Sequence, residues 1–153
     1  MHEPRPHNIG PNLYDATDPE VVVRQEALID KIIEFPAEQL VPDGWEDEEI
    51  RQETGFELTP DWQTVPNPWV EGERIAAAPI VAEDDEGVRH FAIIGQRGDG
   101  ALQYYGFLYR LKSDRILMRS PNPDDQFGAL PIPWNSLDAK AFLTLAESLL
   151  SYN

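Results

Sequence analysis

From residue 74 onward, hydrophobic and polar side chains alternate in short runs separated by turn residues. The pattern predicts strands at residues 74–82, 88–96, 101–111 and 116–119. The connections Glu83-Asp84-Asp85-Glu86-Gly87, Arg97-Gly98-Asp99-Gly100 and Lys112-Ser113-Asp114-Arg115 are short and turn-rich, so the four strands read as an antiparallel meander. Strict alternation in the third strand sets Leu102, Tyr104 and Leu108 on one face and Tyr105, Phe107 and Tyr109 on the other. Apolar residues on both faces predict a central strand covered on both sides, and Gly106 marks a bulge or a close backbone approach. Pro79 places the first strand at an edge or a bulge, because proline has no N–H to give to a ladder.

Before residue 74 the period changes from two to that of a helix. Thr17-Asp18-Pro19-Glu20 starts one, with a capping side chain, a proline at the first helical position and an acid facing the positive helix end. Val21, Val22, Leu28, Ile29, Ile32 and Ile33 form its apolar stripe, and Pro36 ends it. Pro42-Asp43-Gly44-Trp45 opens a second helix that runs through Glu53, with Gly55 as its stop. Thr59-Pro60-Asp61-Trp62 reads as a further helical turn. After a proline-rich loop at residues 120–133, Asn135-Ser136 caps a closing helix whose stripe is Phe142, Leu145, Leu149 and Tyr152. The expected fold class is α+β: a four-stranded antiparallel meander packed with an N-terminal helical region and a C-terminal helix. Residues 1–16, with Pro4, Pro6 and Pro11, read as a flexible arm, and residues 17–153 as a single domain.

Charge sharpens this picture. The 153 residues carry 28 acids and 12 bases, a formal net of −16. Residues 15–61 hold fifteen of the acids and three of the bases, a local net of −12. From 97 to 119 the balance reverses, with Arg97, Arg110, Lys112, Arg115 and Arg119 against Asp99 and Asp114. Such a field repels nucleic acid and anionic membrane and accelerates association with basic partners. There is no cysteine, which excludes disulfides and thiolate sites and fits a reducing compartment. No signal-peptide core is visible at the N-terminus, and no apolar run approaches the ~20 residues that span a bilayer, so a soluble, cytoplasmic protein is expected.

Catalytic chemistry finds little support in the residue pattern. His2 and His7 sit in the arm, only His90 could serve a hydroxyl nucleophile as base, and no serine lies in a strained elbow. Asp84-Asp85-Glu86 and Asn122-Pro123-Asp124-Asp125 carry oxygen ligands but lack the spacing of a calcium loop, and read as turns. The glycine-rich stretch 95–100 joins two strands instead of opening a helix, so it is a hairpin turn and not a phosphate cradle. Tyr104, Tyr105, Phe107 and Tyr109 read as core packing, since a base-stacking platform needs a positive groove. No enzyme activity, cofactor or metal is expected.

The order of elements resembles the SUKH superfamily of bacterial immunity proteins. The resemblance is carried by Phe35-Pro36-Ala37-Glu38-Gln39-Leu40 after the first helix, by Phe91-Ala92-Ile93-Ile94-Gly95 leading to a Gly-Asp-Gly turn and an aromatic strand, and by Ala141-Phe142-Leu143 in the closing helix. Residues 45–62 and 120–133 depart from that pattern. The resemblance implies a small cytoplasmic protein that neutralises a toxin, such as a nuclease, by direct contact.

The expected function is therefore a non-enzymatic acidic binding protein, an immunity protein for a basic toxin, with no direct binding of nucleic acid or membrane. Its expected partner-binding residues are Trp45, Glu46, Asp47, Glu48, Glu49, Glu53, Asp61 and Trp62: two aromatic anchors ringed by acids. A nucleic-acid mimic and an assembly subunit are the alternatives.

Overall fold

The computed structural model describes residues 13–14, 18–45, 47–96, 102–110, 116–119 and 136–150. The arm up to residue 12, the 97–100 turn, the 120–133 loop, Asn135 and Tyr152 lie outside the described residues. In chain order the elements are β1 (Leu13–Tyr14), α1 (Pro19–Ile33), a 3₁₀ turn (Ala37–Gln39), β2 (Val41–Pro42), α2 (Glu48–Thr54), β3 (Gln63–Pro66), β4 (Arg74–Glu83), β5 (Arg89–Gln96), β6 (Leu102–Arg110), β7 (Ile116–Arg119) and α3 (Ser136–Leu150).

The class is α+β, and β4 to β7 form the expected antiparallel meander. The sheet itself is larger and mixed. Seven strands run in the order β1-β7-β6-β5-β4-β2, with β3 also pairing to β4. β1 is antiparallel to β7, β3 is antiparallel to β4, and β2 is parallel to the end of β4, pairing Val41 with Ala82 and Pro42 with Glu83. These three added strands are two to four residues long. Such segments are too short to show an alternation of their own; the free edges of the meander recruit them. β4 is consequently flanked on both sides at Ala77 and at residues 82–83, while Pro79 keeps an edge position on one side.

α1 begins as its sequence predicts. Asp18 is the cap, its carboxylate accepting the Glu20 N–H at 2.9 Å, and Pro19 occupies the first helical position. α2 starts later than expected. Val41 and Pro42 are drawn into the sheet, residues 43–45 turn, and Asp47 caps the helix by accepting the Glu49 N–H at 2.8 Å. Gly55 ends α2 in the left-handed region at φ 69°, as its position foretells. The helical turn expected at Thr59-Pro60-Asp61-Trp62 is absent; the chain there is irregular, and the short turn forms instead at Ala37–Gln39.

Each face of the sheet carries a core. On the first, Val21, Leu28 and Ile32 of α1 and Phe142, Leu145 and Leu149 of α3 bury Val81, Ile93, Leu108 and Met118. On the second, Trp45, Ile80, Ile94, Tyr104, Phe107 and Tyr109 pack under Phe56, Leu58 and Trp62. β6 is thus covered on both sides, but its face assignment differs from strict alternation. Ile93 pairs with Gly106 and Ile94 with Tyr104, so Tyr105 is the extra residue of a bulge. The bulge moves Tyr104 to the side of Phe107 and Tyr109, and turns Tyr105 toward the helical face, where it stacks on Trp69 at 6.1 Å. The Tyr105 ring lies against Gly95, in space that any side chain at that position would fill.

Arginines lock the helical face. Arg24 of α1 grips Glu147 of α3 through both carboxylate oxygens, at 2.7 and 3.0 Å, and also reaches Thr144. The Glu147 carboxylate raises the Arg24 pKa above its ordinary value. Arg89 of β5 donates one guanidinium nitrogen to three carbonyls at the end of α1: Ile32 at 3.0 Å, Ile33 at 2.7 Å and Phe35 at 2.9 Å. A cation on the last carbonyls satisfies unpaired acceptors and complements the negative helix end.

Candidate partner-binding surface

Most of the described acids in residues 15–61 face outward. Thirteen of the fifteen lie among the described residues, and twelve of those, all but Asp18, are exposed. Glu20 pairs with Arg24 and lies 3.7 Å from Lys140. The other eleven have no ion-pair partner among the described residues. The local negative field is therefore not neutralised by the chain's own described cations. On α1 and its C-cap, Glu26, Asp30 and Glu34 recur every four residues, which stacks like charges along one line at a cost of about 0.2–0.5 kcal/mol per pair.

Trp45 is only 5% exposed and meets Tyr104 edge-on at 6.3 Å. Pairing of β2 with β4 steers the following turn onto the second face, and Arg51 fastens it by donating to the Trp45 carbonyl at 2.9 Å. Trp45 is therefore a core residue and not an exposed anchor. Trp62 is half-buried against the same core. Asp47, Glu48, Glu49 and Glu53 are brought together on the short α2 and its cap, all exposed, and Asp61 is exposed on the irregular stretch before β3. Glu46 lies outside the described residues.

Sequence reasoning missed two grooves that share residues 56–59 as a dividing ridge. One, of about 520 Å³, runs between that ridge, the 3₁₀ turn, β4 and the end of α3; Leu40, Val41, Ile80 and Leu149 line it, with Glu38, Glu57 and Asp61 as its acids. The second, of about 440 Å³, lies over Trp45, Arg51 and Leu102. The ridge is held by side chains. Phe56 and Leu58 pack on the second core, and the Phe56 N–H donates to the Thr54 hydroxyl at 3.3 Å. No main-chain hydrogen bond to another main-chain group is found for residues 56–62 among the described residues. A stretch with no periodicity and few hydrogen bonds leaves no signal in the sequence beyond its acids.

The residues weighed for chemistry have structural roles. His90 is largely buried, packs edge-on against Tyr109 at 5.5 Å and lies 3.6 Å from Asp84. Asp84 in turn accepts the N–H groups of Glu86 and Val88, both at 2.9 Å, which makes its segment the turn its sequence suggests. Tyr104, Phe107 and Tyr109 are 4%, 4% and 1% exposed, so they pack a core and present no stacking platform. Among the described residues no group of three or more His, Asp or Glu is arranged to hold a metal ion, and no helix is long and apolar enough to cross a membrane. Compared with protein-family models, curated proteins and solved structures, the chain finds no match.

Proposed function

We propose that this protein is a non-enzymatic binding protein that captures a basic partner protein, and that it serves as a bacterial immunity protein neutralising a basic toxin by direct contact. One observation carries the reading: eleven outward-facing carboxylates in residues 15–61 have no cation of their own among the described residues. Such a surface costs stability through self-repulsion, and it steers a cationic molecule toward itself. The half-buried Trp62 and the groove beside Asp61 supply apolar area next to that field, where a docked partner gains its short-range contacts. The immunity role is the form suggested by the resemblance of element order.

The test is kinetic. A partner recovered from the native host is purified, and its association rate is measured at low and high salt against the wild type and against an E48K/E49K/E53K variant. Steering predicts a rate that falls about tenfold or more with salt, and a variant that is slow at any salt. Equal rates under all four conditions overturn the reading. The row Glu26, Asp30, Glu34, rising about 6 Å per step along α1, favours a nucleic-acid mimic as the second reading. In that case DNA competes for the same partner surface; in a toxin inhibitor that blocks elsewhere it does not.

A further inference from the structure

β4 has a continuous partner along most of one edge and an interrupted one along the other. β5 pairs with residues 77–83 on one side. On the opposite side β3 covers residues 74–77 and β2 resumes at Ala82, so among the described residues no strand lies beside 78–81. Successive residues of a strand turn their main-chain groups to alternate sides, so half of these four offer N–H or C=O to the gap. The larger groove opens at this place. Val41 and Gln63, which bracket the gap, and Pro79 and Ile80, which lie within it, all line the groove.

The walls suit an extended chain. Leu149 belongs to the helical core and Val41 and Ile80 to the opposite one, so the groove offers apolar contact on both sides of the sheet plane. A strand seated there would send alternate side chains to each. Gln63 donates its amide to the Leu149 carbonyl at 3.2 Å, while its buried Oε1 accepts no hydrogen bond among the described residues. That is an unused acceptor at the margin of the gap. The charge is one-sided: Glu38, Glu57 and Asp61 line the groove and are exposed, and among the described residues no lysine or arginine lines it.

We propose that the interrupted edge of β4 is a docking slot for an extended segment of a partner protein, which adds as a short strand between β2 and β3. The segment carries a lysine or arginine that meets Glu38, Glu57 and Asp61. Four residues at about 3.3 Å each give a slot of roughly 13 Å. Pro79 has no N–H, so it is tolerated only where no neighbouring strand requires that donor; it also restricts how many bonds an incoming strand makes, which discourages indiscriminate edge pairing. A second copy of the chain is a poor occupant at a net charge of −16. The inference deepens the binding role proposed above and rests on it.

The experiment uses the full chain and a capped hexapeptide of alternating valine and lysine, with amide hydrogen exchange followed by NMR. Since Pro79 faces the gap, alternation turns Val81 to it as well and leaves Ala78 and Ile80 bonded toward β5, so the peptide is expected to protect the Val81 amide by about tenfold or more. An E57K/D61K variant should bind it about tenfold more weakly, and a peptide N-methylated on alternate residues should lose the protection. A valine–glutamate peptide should not bind. No binding, binding without protection of the Val81 amide, or equal binding of the N-methylated peptide each overturns the slot. A Val81 amide already protected in the free chain also overturns it, because its own segments or a second copy then occupy the gap. If the slot fails while salt-dependent association holds, the acidic surface stands without it; if both fail, the binding role falls too.

Discussion

The two faces of the sheet are closed in opposite ways. Two fifteen-residue helices cover one, joined by the Arg24–Glu147 clamp and capped by Arg89. The other is closed by residues 41–62, which include only a seven-residue helix and the ridge at 56–59 between two grooves. Periodic cover packs side chains and satisfies its own backbone. Irregular cover leaves grooves and exposed acids, and it opens at lower free energy. The helical face therefore holds the fold, and the irregular face is the one that carries the proposed docking slot.

The sharpest break of this contrast compares one core residue from each side. Phe142→Ala should lose about 3–5 kcal/mol of unfolding free energy, because it empties a fully buried site against Phe91. Leu58→Ala should lose about 1 kcal/mol, since Leu58 is only partly buried. Denaturant unfolding that ranks the two equally would erase the distinction between the faces. Next in size, Arg89→Met should cost about 2–3 kcal/mol by stripping three carbonyls of a charged donor, and hydrogen exchange should show the last turn of α1 opening first. Asp30→Lys should do the reverse on the outer side of α1. Replacing a like charge between Glu26 and Glu34 with an opposite one should add about 0.5 kcal/mol, read as a higher denaturation midpoint, while slowing capture of a basic partner.

The smallest effect is one of pH. The Glu20 N–H and Lys140 hold the Asp18 carboxylate below its ordinary 3.8. A carboxylate with a depressed pKa in the folded state stabilises above its unfolded value, and that contribution is lost as pH falls through the folded one. Asp18→Asn keeps a capping oxygen but no charge. Its deficit against the wild type should be largest above pH ~4 and should vanish toward pH ~2 in parallel acid titrations.

The regular elements were largely legible. The Asp18-Pro19 start, Gly55 as a helix stop and all four strands of the meander stood in the sequence, since each rests on local chemistry or a sustained period. Tyr105 shows why face assignment failed in β6: one inserted residue resets the parity, and Gly106 signalled the bulge without giving its direction. Trp45 shows why an aromatic among acids is ambiguous, because its burial depends on β2 joining a strand forty residues later. The groove was hidden for the same reason. Its walls come from four separate stretches of the chain, and only Asp61 among its acids belonged to the expected surface.

The reach of Arg89 also constrains the order of events as the chain folds. The end of α1 gains its three-carbonyl lock only after a hairpin more than fifty residues downstream has formed and docked. Until then the last carbonyls of α1 lack that donor, so completion of this helix end reports that the sheet has arrived.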